Sequence, residues 1–198
     1  MSGTSGTNGY RRVNGRPAGL SEAGRSPRAG GRQAGVERPG PAERLPLRTW
    51  TEIELPVEVW WLGVHGGAGE STLEELFNGS RAAGHAWPRV PHAPGVPDVV
   101  LVARTSTRGL WAAQSAMREW AATQLPVSLL GLVLIADTPG RLPRALRELA
   151  GLIGGGVPQV WSLPWVEAWR TGEPPRAANS PREVHRLLTD LRAVRAEP

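Results

Sequence analysis

The 198-residue chain has no cysteine and no lysine; all 23 of its basic residues are arginine. Lack of cysteine excludes a disulfide framework and thiolate metal sites, which fits a reducing compartment. Lack of lysine means that no lysine ammonium can serve a phosphate site, so an arginine would have to reach in instead. Long apolar runs are missing too: the longest nearly apolar stretch, residues 125–136, is too short to span a bilayer. Residues 1–12 are polar with no apolar core, so no secretory signal is visible. The expectation is a soluble, cytoplasmic protein with no membrane partner. Abundant arginine, alanine, glycine and proline point to a GC-rich bacterial genome.

The first quarter of the chain lacks large apolar residues. Residues 1–48 are rich in Gly, Ser, Pro and Arg, and they cannot bury enough surface to offset the entropy of ordering. They read as a disordered tail. Nine arginines against three glutamates place the whole net positive charge there, while the remainder is nearly balanced. Residues 25–32 could attract nucleic acid or an acidic partner electrostatically. Apart from Tyr10 the tail offers no aromatic platform of the kind single-strand binders use. The plainer reading is a solvated leader.

From residue 49 to 175 the pattern changes to strands alternating with helices. Residues 57–62 form an apolar run that includes Trp60 and Trp61, as expected for a strand buried on both faces. Three further strands are expected over residues 98–103, 129–136 and 157–163. A helix over 108–124 should bury Leu110, Ala113, Met117, Trp120 and Ala121, and another should use Leu142, Leu146, Leu149 and Leu152. Residues 82–97 read as a loop with four prolines; its His85 and His92 have no spaced acid or thiolate partner, which argues against zinc. Trp161, Trp165 and Trp169 would make one apolar stripe if helical. Residues 176–198 should hold a C-terminal helix, started by Ser180 as N-cap, Pro181 and Glu183, with apolar Val184, Leu187, Leu188, Leu191 and Val194 and an exposed His185. Together these predict an α/β domain with a small, mostly parallel sheet flanked by helices.

The stretch most suggestive of chemistry is residues 63–72, Gly-Val-His-Gly-Gly-Ala-Gly-Glu-Ser-Thr. It lies between a strand and a helix, where consecutive glycine N–H groups can converge on an anion. His65, Gly66, Gly67, Gly69, Glu70, Ser71 and Thr72 are its candidate residues. The segment resembles the deviant Walker A loop of MinD/ParA-like P-loop NTPases. The glycines, Ser71 and Thr72 match that pattern; His65 and Glu70 stand where the family has its two lysines. The resemblance implies a P-loop NTPase-like fold and an ATP or GTP site with magnesium. A carboxylate at position 70 turns one attraction for the outer phosphates into a repulsion, each about 1–4 kcal/mol at 4 Å. Nucleotide binding in the usual pose is therefore disfavoured, and no cofactor and no catalysis are expected. Glu70 could instead occupy the anion position itself and stabilise the loop empty.

Later elements resemble the family in two alternative alignments. In one, Asp98 to Gly109 corresponds to the strand and turn after the Walker B segment, and the switch I and Walker B strands are deleted. In the other, Asp137-Thr138-Pro139-Gly140 corresponds to the magnesium-sensing turn, with Asp137 facing Ser71 from a neighbouring strand. The chain also resembles actinobacterial proteins with lysine-less loops that accompany plasmids and integrative elements. An esterase reading fails, because Leu73 stands where a nucleophile elbow needs glycine. Three readings remain: a non-catalytic P-loop-like adaptor with a protein partner or a second copy, a weak ATP or GTP binder, and a nucleic-acid-associated protein acting through residues 1–48.

Overall fold

Burial on both faces organises the domain. The computed structural model describes residues 44–51 and 56–196. In chain order the elements are β1 (Leu47–Thr49), β2 (Val59–Gly63), α1 (Glu70–Leu76), β3 (Ser80–Ala82), β4 (Trp87–Arg89), β5 (Asp98–Arg104) and α2 (Thr107–Ala122). They are followed by β6 (Ser128–Ile135), α3 (Arg144–Gly154), β7 (Val160–Leu163), α4 (Glu167–Arg170), a 3₁₀ turn (Ala177–Asn179) and α5 (Arg182–Ala196). Five strands form a parallel sheet in the order β3-β2-β5-β6-β7, and β1 pairs with β4 in a separate parallel ribbon.

The apolar runs of β2, β5 and β6 follow from this arrangement, since alternate residues feed opposite cores. Trp60, Leu62, Val99, Leu101, Leu132 and Leu134 join one core with Leu110, Ala113 and Met117 of α2 and Leu149 and Ile153 of α3. Val59, Trp61, Val100, Val102, Val133 and Ile135 join the other with Leu73 and Leu76 of α1 and Val184, Leu187 and Leu191 of α5. The indole N–H groups at the second core find acceptors: Trp61 donates to Ser80 Oγ at 2.7 Å and Trp161 to Asp190 Oδ2 at 3.1 Å. Helix α5 is thus built into the domain. Its Arg195 reaches the amino ends of β2 and β5, pairing with Glu58 at 2.9 Å and Asp98 at 3.3 Å.

Several expectations need correction. The sheet has a fifth strand, β3, and the segment expected to be a loop over 82–97 holds β4. Ribbon pairing draws Leu47 and Arg48 out of the expected tail; the tail's disorder and residues 25–32 lie outside the described residues. In α3 the buried positions are Leu149 and Ile153 while Leu152 is 73% exposed, and in α2 Ala121 is exposed. Trp161, Trp165 and Trp169 form no stripe, because they fall on β7, on a connecting loop and on α4. Ser180 does not cap α5 with its side chain: its hydroxyl donates to the Arg176 carbonyl at 2.7 Å. Val194 is 40% exposed.

The integral place of α5 is testable. Leu187→Ala should cost about 2–5 kcal/mol in urea unfolding, as for a fully buried leucine. Leu152→Ala, on an exposed helix face, should stay within about 0.5 kcal/mol.

Candidate functional site at the sheet's switch point

Helix α1 carries the chain from β2 to β3 on one side, while β5 lies on the other side of β2 and the chain then proceeds outward through β6 to β7. The winding direction therefore reverses between β2 and β5. In open α/β sheets the crevice outside the carboxyl ends of such strands is where ligands are taken. The two loops that meet there are residues 64–69 and residues 105–106.

The first is the glycine-rich loop. Ala68 N–H closes a turn on the His65 carbonyl at 3.2 Å, and Gly67 and Gly69 have φ of 73° and 108°. At Gly69 a Cβ would also stand 2.7 Å from Ile135 Cδ1, so both conformation and space demand glycine. Among the described residues, the N–H groups of Gly66, Gly67, Gly69, Glu70, Ser71 and Thr72 donate to no protein acceptor.

Glu70, the first residue of α1, folds back instead of pointing out. Its Oε2 accepts the Gly63 N–H at 2.7 Å. On the same residue, the Gly63 carbonyl accepts from His85 Nδ1 at 2.7 Å, and His85 Nδ1 stands 3.5 Å from Glu70 Oε1. Strand β3 ends at Ala82, with Ala83 N–H on the Trp61 carbonyl as the last backbone rung. Beyond it the outward N–H and C=O of Gly63 would have no strand partner, and a carboxylate and an imidazole take that place. A Cβ on Gly63 would meet Glu70 Oε2 at 2.9 Å and His85 Cε1 at 3.1 Å, so only glycine leaves room for both. His85 reaches its position from a left-handed backbone, φ 56°, a conformation that costs about 1–2 kcal/mol for a residue with a Cβ. Its side chain is 43% exposed, against 12% for Glu70.

His65 ties the loop to the second strand. Its Nε2 accepts the Arg104 backbone N–H at 3.1 Å, which leaves Nδ1 to donate to the Gly66 carbonyl at 2.9 Å. The two partners thus define the Nδ1–H tautomer. Arg104, at the end of β5, spans the crevice: Nε donates to the Gly67 carbonyl at 3.2 Å and Nη1 to the Ala136 carbonyl at 3.1 Å. Burial lowers its pKa from the ordinary guanidinium value, the neighbouring Arg170 lowers it further, and Asp137 opposes them. Arginine remains cationic under all ordinary conditions, so Arg104 brings a positive charge to the loop.

The predicted residues therefore divide. His65, Gly66, Gly67, Gly69, Glu70, Ser71 and Thr72 share one loop and helix start. Ser71 is exposed, and among the described residues neither it nor Thr72 engages a partner through its hydroxyl. Asp137 follows β6, which β5 separates from β2, and its N–H donates to Thr105 Oγ1 at 3.2 Å. No hydrogen bond or ion pair joins it to Ser71; its charge acts on Arg104. Sequence reasoning missed Arg104 and His85. Arg104 carried a usable signal, a basic residue ending the strand beside the loop, whereas His85 depends on where β3 stops. Among the described residues no three His, Asp or Glu side chains gather as a metal site, and no helix is long and apolar enough to cross a membrane.

A family model described as a family of unknown function, DUF6668, matches residues 57–186, well over half of the chain. The chain belongs to DUF6668. The match runs from the start of β2 into α5 and so contains the whole switch-point site. No curated protein matches the chain, and no solved structure does.

The glycine roles give a paired test of this DUF6668 domain. Gly69→Ala should destabilise it by about 2–4 kcal/mol through backbone strain and the Ile135 contact. Gly66→Ala should stay within about 0.5 kcal/mol, because φ is not positive there and a Cβ would meet nothing within 4 Å. Equal losses in chemical unfolding would contradict the geometry described for the loop.

Proposed function

We propose that this domain is a non-catalytic, P-loop NTPase-like binding module, an accessory or adaptor protein whose phosphate-type loop is held by its own acid. The observation that carries the reading is the 2.7 Å contact between Glu70 Oε2 and the Gly63 N–H. At the place where a P-loop lysine would extend toward the outer phosphates, a largely buried carboxylate closes the base of the loop. A nucleotide phosphate approaching the free N–H groups above it would meet that negative charge. The reading carries no catalytic role for any residue and no metal. By its resemblance to lysine-less loop proteins that accompany plasmids and integrative elements, it places the protein in the maintenance or transfer of mobile DNA, acting through a protein partner or a second copy.

A second reading, weak ATP or GTP binding with little hydrolysis, is favoured by one observation. The Arg104 guanidinium spans the crevice beside the free loop N–H groups, and arginine can take over charge stabilisation from a lysine.

One titration separates the two. In the adaptor reading, wild-type protein shows no thermal shift or calorimetric heat with Mg-ATP or Mg-GTP and releases no phosphate, and Glu70→Ala loses about 1–3 kcal/mol of stability by leaving the Gly63 N–H unpaired. Saturable binding of either nucleotide by wild type favours the second reading. Unchanged stability of Glu70→Ala, with Glu70→Lys still binding no nucleotide, would remove the role given to Glu70.

A further inference from the structure

On the sheet face opposite α1 and α5, helix α3 leaves part of β7 uncovered. Helix α3 packs inward through Leu149 and Ile153. Its flank toward β7 carries Arg147, Ala150, Gly151 and Gly154, spaced as one helical face. Between that flank and strands β6 and β7 lies a cleft of 560 Å³, a volume in the range of about 300–1,000 Å³ typical of small-molecule sites. Leu134, Leu142 and Val160 give it an apolar floor. Ala136 and Thr105, just past the carboxyl ends of β6 and β5, close one end of it.

Two glycines of α3 face this space, for different reasons. Glycine within a helix costs about 1 kcal/mol relative to alanine, and α3 carries two of them three residues apart. At Gly154 packing accounts for it, since a Cβ would stand 3.0 Å from Val160 Cγ2. At Gly151 a Cβ would meet nothing within 4 Å. Nothing in the fold demands glycine there, and the open volume in front of it is the cleft.

The polar groups around the cleft define what it would hold. Arg144 is engaged by Glu148 at 2.7 Å, but Arg147 has no ion pair among the described residues. Thr138 and Ser162 line the cleft, and among the described residues their hydroxyls have no hydrogen-bond partner. A single uncompensated guanidinium and two free hydroxyls over an apolar floor suit one planar anion on a hydrocarbon body. A phosphate dianion would find only one cation lining the cleft to balance its two charges.

We propose that this cleft binds a small monocarboxylate, its carboxylate on the Arg147 fork and the Thr138 and Ser162 hydroxyls, its hydrocarbon on Leu134, Leu142 and Val160. The site is independent of the glycine loop: Gly63, Glu70 and His85 take no part in it, so its failure leaves the adaptor reading untouched.

The test titrates the full-length protein with sodium octanoate and sodium benzoate, and with octan-1-ol as the neutral counterpart, by ¹H–¹⁵N NMR. Carboxylates should shift the amides of Thr138, Gly151 and Ser162 saturably. Octan-1-ol should bind about tenfold more weakly than octanoate, the scale of one charge-assisted contact. Arg147→Gln, an exposed change that leaves the fold intact, should erase that tenfold difference. Gly151→Leu should fill the cleft and abolish binding without lowering the melting temperature. The proposal is overturned if both carboxylates leave those amides unmoved, if the alcohol binds as tightly as octanoate in wild type, or if folded Gly151→Leu still binds.

Discussion

Two-sided burial of the central strands is the constraint on which the rest of this domain depends. Once β2, β5 and β6 have committed alternate side chains to two separate cores, their faces have no surface left for chemistry. Only the strand ends remain. At the amino ends, Arg195 gathers Glu58 and Asp98. At the carboxyl ends the loops converge, and there the reversal of winding between β2 and β5 opens a crevice. The cleft beside α3 exists for a related reason: one helix flank of small residues cannot cover the edge strand, and the uncovered part of β7 becomes a wall.

What occupies the crevice is a set of substitutions for missing backbone. A parallel strand of three residues, β3, stops short of the end of β2, and the unpaired groups of Gly63 are met by Glu70 and His85. Unpaired buried N–H and C=O groups are costly, and a carboxylate and an imidazole are well matched to one of each. Arg104 and His65 fasten the other side by the same means, each bonding to backbone of the opposite loop. The loop is thus held by the side chains of Glu70, His65 and Arg104. This is the physical ground for reading it as a module that holds its shape without a ligand.

Much of this was legible beforehand. Unbroken apolar runs between glycine and proline joins indicated buried parallel strands, and the glycine cluster after the first of them marked the loop that the fold places at the switch point. The helices over α2 and α5 followed from the 3.6-residue spacing of Leu110, Ala113 and Met117, and of Val184, Leu187, Leu188 and Leu191. Less was legible where elements are short. Strands of three residues such as β3 and β4 carry too little periodicity to stand out from a proline-rich stretch. The exposed Leu152 and buried Ile153 differ only in which way α3 rolls against α2, a matter of contacts rather than of spacing.

The amino-acid sequence by itself determined the alternation of strand and helix, the burial of the strands on both sides and the glycine-rich connection after β2, because each rests on residues within a few positions of one another. Tertiary structure alone decided the strand order, and with it the distance of Asp137 from the loop. It also decided the partners of Glu70, His85, His65 and Arg104. Those contacts join positions 7, 22 and 39 residues apart, and they form only because β3 ends one rung early and β5 lies beside β2. No local pattern encodes where a neighbouring strand stops, so the chemistry of the site waited on the fold.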